Sequence, residues 1–371
     1  MSSSITPLQA LTYIANGSSS IDVRAPLEFQ RGALPLSKNL PILDDEQRAA
    51  VGLCYKSEGP EAAMKMGYKF VQGDLREERI SKWLGQLTLD PSALIYCSRG
   101  GLRSKIAAEW ISDKGYAIRR IEGGFKAARN KLLSFLAPDP RELIILGGST
   151  GVGKTMVIEN DAAAIDLEGY ANHRGSAFGA FLDSQPSQID FENAVALQFF
   201  KQAGIDSDNK RERTRVLLED EGRMIGRINL PPCLQAAMSD APLIILEATL
   251  EARVSHIFEE YVQEHLDTIA STQALDPYQV LGERLGNSLF SIHKRLGGAR
   301  YQAISEQLNS AIKAHKIGDP SGHREWIKAL LLDYYDPMYQ YQLEKKEHRV
   351  VFRGSKEEIT EWRRAKLSIL H

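Results

Sequence analysis

Two stretches of the chain carry residue types at spacings suited to thiol and phosphate chemistry. The first is Cys97-Ser98-Arg99-Gly100-Gly101-Leu102-Arg103-Ser104. It follows the apolar run Ala93-Leu94-Ile95-Tyr96, and Ile106, Ala107, Trp110 and Ile111 come next at helical spacing, which predicts a strand, a loop and a helix. A helix N-terminus carries partial positive charge and unpaired N–H groups, so a thiol there is expected to be more acidic and more nucleophilic. Gly100 and Gly101 allow successive N–H groups to converge on an anion, and Arg99 and Arg103 add positive charge. Cys97, Arg99 and Arg103 are therefore the candidate catalytic residues. Cys54 and Cys233 lack such neighbours and are expected to be structural.

The second stretch is Gly148-Ser149-Thr150-Gly151-Val152-Gly153-Lys154-Thr155, a full G-x-x-x-x-G-K-[ST] pattern. It follows the strand-like Arg141-Glu142-Leu143-Ile144-Ile145-Leu146 and precedes an expected helix from Lys154. Its backbone N–H groups are expected to wrap a phosphate, with Lys154 on the outer phosphate and the Thr155 hydroxyl as the candidate Mg²⁺ ligand. Acidic partners for such a metal sit at strand ends, where Asp166, Glu168 and Glu247 are the candidates. His173 and Arg174, just beyond an expected strand at Ala162–Asp166, are candidates for substrate phosphate or base contacts. The pattern alone does not distinguish ATP, GTP or another diphosphate.

These motifs need rigid elements to hold them. The chain has 371 residues, enough for two ordinary domains, and 43% of them are hydrophobic. Ala137-Pro138-Asp139-Pro140 is the clearest break, since two prolines in four residues disfavour helix and sheet interior alike. The expected class is α/β. Residues 1–136 form a parallel-sheet domain, with strands at Ser20–Arg24, Leu40–Leu43, Ala93–Tyr96 and Ala117–Ile121 and a helical insert over 44–87. Residues 141–371 form the P-loop domain, with a strand at Pro242–Leu246 and a helical pattern from about Glu251. Gly67 is expected to cap a helix C-terminus.

No run approaches the roughly 20 apolar residues that span a bilayer, and Met1–Ser20 does not read as a secretory signal. Three scattered cysteines give neither a disulfide framework nor a structural zinc site, so a reducing cytoplasm is the expected compartment. A net charge of −2 excludes a chain-wide basic surface. Any nucleic-acid contact must come from local groups. The candidates are Arg119-Arg120 with Lys126, Arg129 and Lys131; Lys210-Arg211 with Arg213 and Arg215; and Lys345-Lys346 with His348-Arg349, Arg353 and Arg363-Arg364. Tyr334, Tyr335 and Tyr339 are stacking candidates, although such runs are more often core.

The first 130 residues resemble the rhodanese family. The resemblance rests on Asp22-Val23-Arg24, Glu28-Phe29, Gly32-Ala33, Asn39-Leu40-Pro41, the Cys97 loop and Glu122-Gly123-Gly124-Phe125. It implies a rhodanese-like fold and a sulfur-carrying cysteine. The spacing from Cys97 to Arg103 also resembles the phosphate loop of cysteine phosphatases, which suits a phosphate-bearing donor. The two halves together resemble the tRNA 2-selenouridine synthase family, as do Val51-Gly52-Leu53-Cys54-Tyr55-Lys56, Asp166–Gly179, Gln185-Pro186-Ser187-Gln188 and Tyr334–Tyr339.

That resemblance implies a tRNA-modifying transferase. It would replace the sulfur of wobble 2-thiouridine by selenium, through an S-geranyl intermediate. The implied co-substrates are selenophosphate and geranyl diphosphate, and the implied partners are the tRNA anticodon region and an enzyme that supplies selenophosphate. No tightly bound organic cofactor and no membrane partner are expected. The alternative is a sulfurtransferase or cysteine phosphatase fused to a small-molecule kinase. A purely regulatory P-loop protein fits less well, because an inert loop would not need its thiol.

Overall fold

Short apolar segments that are buried on both faces build two parallel sheets. The computed structural model describes residues 2–204, 215–272 and 276–368. The chain divides into two units, Met1–Ala137 with Ser187–Asn209, and Pro138–Pro186 with Lys210–His371. The first segment of the first unit ends at Ala137. Ser187 onward returns to it, however, which no local feature of the sequence announced. The reason is tertiary. In the Gln188–Gln202 helix, Asn193 is fully buried and donates to the Ala33 carbonyl at 2.6 Å, and Glu192 pairs with Arg129.

In the first unit, β1 (Ser3–Ile5), β2 (Ser20–Asp22), β3 (Ser37–Asn39), β4 (Leu94–Tyr96) and β5 (Arg119–Ile121) form one parallel sheet in the order β1-β5-β4-β2-β3. β3 lies just before the expected strand at Leu40–Leu43. Pro41 has no N–H for a ladder, and Ile42 and Leu43 turn into the core instead. Between β3 and β4 the insert is three helices, Asp45–Glu58, Pro60–Phe70 and Gly73–Leu89. The first begins with a reciprocal capping box between Asp44 and Gln47. Gly67 lies inside the second rather than at its end, because the helix runs on to Phe70. Trp83, fully buried, fixes the third by donating to the Leu40 carbonyl at 2.9 Å.

In the second unit, β6 (Leu143–Gly147), β7 (Ala164–Ile165), β8 (Val216–Glu219), a small β9–β10 ladder (Met224–Ile225, Ile228–Asn229), β11 (Leu243–Leu246) and β12 (Val350–Gly354) follow in chain order. The main sheet is parallel, ordered β12-β11-β6-β8-β7, with β6 at its centre. The α/β class is as expected. Among the described residues after Glu251 the elements are helices except for β12, which adds an edge strand beside β11. No helix among the described residues is long and apolar enough to cross a membrane.

Candidate functional site

The Cys97 loop connects β4 to the Leu102–Asp113 helix, at the carboxyl end of its sheet. Three of its carbonyls accept from groups outside the loop, while the Gly101 carbonyl faces the thiol at 3.8 Å. Phe125 N–H donates to Cys97 O at 2.9 Å, Lys126 N–H to Ser98 O at 3.0 Å, and the Arg120 guanidinium to Gly100 O at 2.7 Å. The backbone N–H groups of Ser98 through Gly101 are left without partners among the described residues. Successive N–H groups without partners are what an anion nest requires. This arrangement depends on a close approach by the next turn. Gly124 has φ +57, and a Cβ there would lie 2.1 Å from Cys97 O and 2.4 Å from Gly100 N.

Cys97 is 3% exposed, and its thiol lies 3.2 Å from the Ser104 hydroxyl. The two arginines differ. Arg99 is exposed and free to meet an anion. Arg103 donates to Glu28 through both terminal guanidinium nitrogens, at 2.5 and 3.1 Å, and also to Ser98 Oγ. Burial alone would raise the Glu28 carboxyl, but bonds from Arg103 and Ser98 hold it down at about 2. Arg103 therefore orients the loop through Ser98, and Glu28 is a loop partner whose role the sequence did not reveal. Beneath the loop, Asp22 and Arg24 form a buried pair, with Arg24 stacked 4.1 Å from the Phe125 ring centroid.

The P-loop joins β6 to the Lys154–Glu159 helix, as the pattern predicts. The Leu250–Phe258 helix braces it from outside. Arg253 donates to Thr150 O at 2.9 Å and forks onto Asp336, and His256 Nδ1 lies 3.0 Å from Gly151 O. Gly151 has φ +80, and a Cβ there would meet Ile257 at 2.7 Å. Loop and brace are thus in contact at that point. Asp336 belongs to the aromatic run near the C-terminus. Tyr334 and Tyr335 of that run are buried, at 9% and 8% exposure, so they are core rather than a stacking surface.

The acidic residues sort differently from the expectation. Asp166 caps the Leu167–Ala171 helix through the Gly169 N–H at 2.6 Å. Glu247, at the end of β11, is exposed and faces Arg353 at 3.9 Å. Glu168 does join a cluster, with Glu219 and Glu221. The Glu168 and Glu221 carboxylates converge over Gly175, within 2.3 and 3.0 Å of where its Cβ would stand. Burial, followed by repulsion from nearby carboxylates (Glu221 and Glu219 for Glu168, Asp166 and Glu221 for Glu219), pushes Glu168 and Glu219 well above the usual carboxylate range, and burial also raises Glu221. Lys154 pulls all three the other way. Glu219 ends β8, the neighbour of the P-loop strand, which is the natural place for the metal-side acid.

Mg²⁺ needs hard oxygen donors and typically takes only one or two carboxylates. Buried Glu219 Oε1 has no partner, so an unused donor of that kind is present. Among the described residues no group of three or more His, Cys, Asp and Glu side chains could by itself hold a metal. Thr155 and Glu219 are the residues that would hold it.

His173 is 9% exposed with Nδ1 unpartnered, and burial lowers its pKa. Arg174 is tied to Glu260 O at 2.6 Å and Glu264 at 2.7 Å, and stacks over Phe181 and Tyr261. It is a scaffold cation here, not an open one. Much of the basic clusters is likewise used internally. Arg119 lies over Tyr13, Arg129 pairs with Glu192, Lys346 with Asp220, and Arg363 with Asp161. Lys210, Arg211 and Arg213 lie outside the described residues.

The family model for the AAA domain of tRNA 2-selenouridine synthase matches residues 141–369. Three curated proteins named tRNA 2-selenouridine synthase are similar along nearly the whole chain. The one from Hahella chejuensis is 44% identical over 93% of this chain and 90% of its own length. The one from Shewanella frigidimarina is 43% identical, covering 92% and 93%. That from a Sulfurovum species is 42% identical, covering 94% and 95%. A family model that matches the P-loop half, with similarity to these relatives along nearly the whole chain, makes the chain a member of the tRNA 2-selenouridine synthase family.

Proposed function

We propose that the protein replaces the sulfur of wobble 2-thiouridine in tRNA by selenium in two steps, using its two anion sites in turn. The observation that carries this is the pairing of a Cys97 nest, whose N–H groups are unpartnered, with a P-loop. In the first step the thiouridine sulfur attacks C1 of geranyl diphosphate. A C–S bond forms, the C–O bond breaks, and pyrophosphate leaves with the electron pair, while the base loses its N3 proton. The P-loop N–H groups and Lys154 neutralise the departing charge. A Mg²⁺ held by Thr155 and Glu219 would add charge neutralisation there.

In the second step the selenium of selenophosphate attacks C2. A C–Se bond forms and the C–S bond breaks. Geranylthiolate leaves and takes a proton, and water then cleaves the P–Se bond to give 2-selenouridine and phosphate. Alkylation makes this exchange feasible, because a thiolate leaves far more readily than a bare sulfide. The nest and Arg99 bind the selenophosphate anion, with Cys97 beside it. An enzyme that makes selenophosphate must supply the donor.

Incubating the purified protein with 2-thiouridine tRNA, geranyl diphosphate and selenophosphate, each omitted in turn, tests the order. Omitting selenophosphate should accumulate S-geranyl tRNA, and omitting geranyl diphosphate should stop selenation. Selenation at full rate without the prenyl donor would overturn the proposal.

A further inference from the structure

An apolar cavity of about 150 Å³ opens in the first unit beside the cysteine loop. Its walls are the first two insert helices, through Val51, Ala63, Met64 and Tyr68, and the start of the Leu102–Asp113 helix, through Ile106 and Trp110. Leu102 and Arg103, which directly follow the cysteine loop, also line it. Arg103 in turn donates to Ser98 within that loop. Cys97 belongs to the same buried cluster as the lining residues Ile42, Leu43, Val71 and Trp110, so one continuous core joins the thiol to the cavity wall.

The size and lining decide what fits. A dry apolar cavity of this volume takes a guest of about six carbons. The mouth continues the same chemistry. Tyr55, Met64, Tyr68 and Leu102 are 59%, 41%, 44% and 53% exposed, an apolar rim that solvent alone does not explain. A branched hydrocarbon chain of two isoprene units would thus have one unit enclosed and the other lying across the rim. By contrast, the space beside Thr150 of the P-loop is about 20 Å³, enough for a water molecule only.

We propose that this cavity holds the terpenoid chain of the S-alkylated base while the Cys97 loop delivers selenium to C2. This rests on the two-step reaction above, and it gives the helical insert a function: it recognises the alkyl group that is about to leave. An unalkylated base gains nothing from the cavity, so the selenation site selects for alkylated substrate.

Two filling variants test it, Met64→Trp at the exposed rim and Ala63→Phe inside. Selenation is measured on anticodon stem-loop RNA bearing either S-geranyl- or S-methyl-2-thiouridine. KM for the geranyl substrate should rise about tenfold or more in both variants. The S-methyl substrate should change less than about twofold, and geranylation of 2-thiouridine RNA should be unaffected. Equal effects on both substrates, or no effect in either variant, would overturn the proposal.

Calorimetric titration with geranyl methyl sulfide separates the cavity from the reaction, since it needs no turnover. Wild type should bind the sulfide and Met64→Trp should not. If wild type binds it but cannot selenate the S-geranyl RNA, the reaction scheme fails and the cavity assignment stands. If wild type selenates that RNA but does not bind the sulfide, the cavity assignment fails alone.

Discussion

Replacing Gly124 by Ala should disable the cysteine loop without touching any side chain of it. The added Cβ would stand 2.1 Å from Cys97 O and 2.4 Å from Gly100 N, both backbone atoms. Neither can rotate aside, so the turn or the loop must move by more than about 1 Å to restore ordinary contact. The movement breaks the bonds from Phe125 and Lys126 to the Cys97 and Ser98 carbonyls. Those are worth about 1 kcal/mol each. A left-handed φ of +57 adds roughly 1–2 kcal/mol for a residue with a side chain.

The total is about 3–4 kcal/mol, or roughly 10 °C in Tm for a unit of this size. Gly115→Ala is the control. Its φ is +86 but nothing lies within 4 Å, so only the backbone term, about 1–2 kcal/mol, should apply. Differential scanning calorimetry measures both. Selenation of S-geranyl RNA by folded Gly124→Ala protein should fall about 100-fold, as expected for a 1 Å misplacement. Geranylation should be unchanged. The reasoning is refuted if Gly124→Ala is no less stable than Gly115→Ala and still selenates.

Two further outcomes follow from the bracing of each loop. Arg253→Leu removes the fork to Asp336 and the support of Thr150, and should destabilise the second unit by about 3 kcal/mol in urea unfolding while weakening pyrophosphate binding. Unchanged stability and affinity would show that the brace is incidental. The Glu28 carboxyl is held at about 2 in the folded chain against an ordinary 4.5. Its stabilising contribution is therefore complete above about 4.5 and disappears as pH falls from there toward 2. Tm measured across that window should fall more steeply for wild type than for Glu28→Gln, and parallel curves would contradict the assignment.

What could be read from the chain alone were the features that are local. The Cys97 loop and the P-loop each combine an apolar strand, glycines and a following helix, and that physics is contained in a dozen residues. β8 was missed because Val216-Leu217-Leu218-Glu219 is only four residues long and follows a charged stretch, so no period could develop. With it went Glu219 and Glu221, leaving Asp166, Glu168 and Glu247 as metal-side candidates, of which Glu168 joins the cluster. β12 alternates in exposure beside basic residues and resembles a helix flank. The return of the Gln188–Gln202 helix to the first unit is set by Asn193 and Glu192 meeting Ala33 and Arg129, partners more than sixty positions away in sequence. Arg103 and Arg174 looked open in the sequence for the same reason: Glu28 and Glu264 are 75 and 90 positions distant.

The division of labour between the loops is the central claim, and one measurement tests it directly. Nucleoside mass spectrometry would follow 2-thiouridine RNA incubated with both donors and either Cys97→Ala or Lys154→Ala protein. The account predicts that Cys97→Ala accumulates S-geranyl-2-thiouridine and makes no 2-selenouridine. It predicts that Lys154→Ala leaves 2-thiouridine unaltered yet still selenates RNA that is supplied already geranylated. Loss of both products in both variants, or selenation by Cys97→Ala, would contradict it.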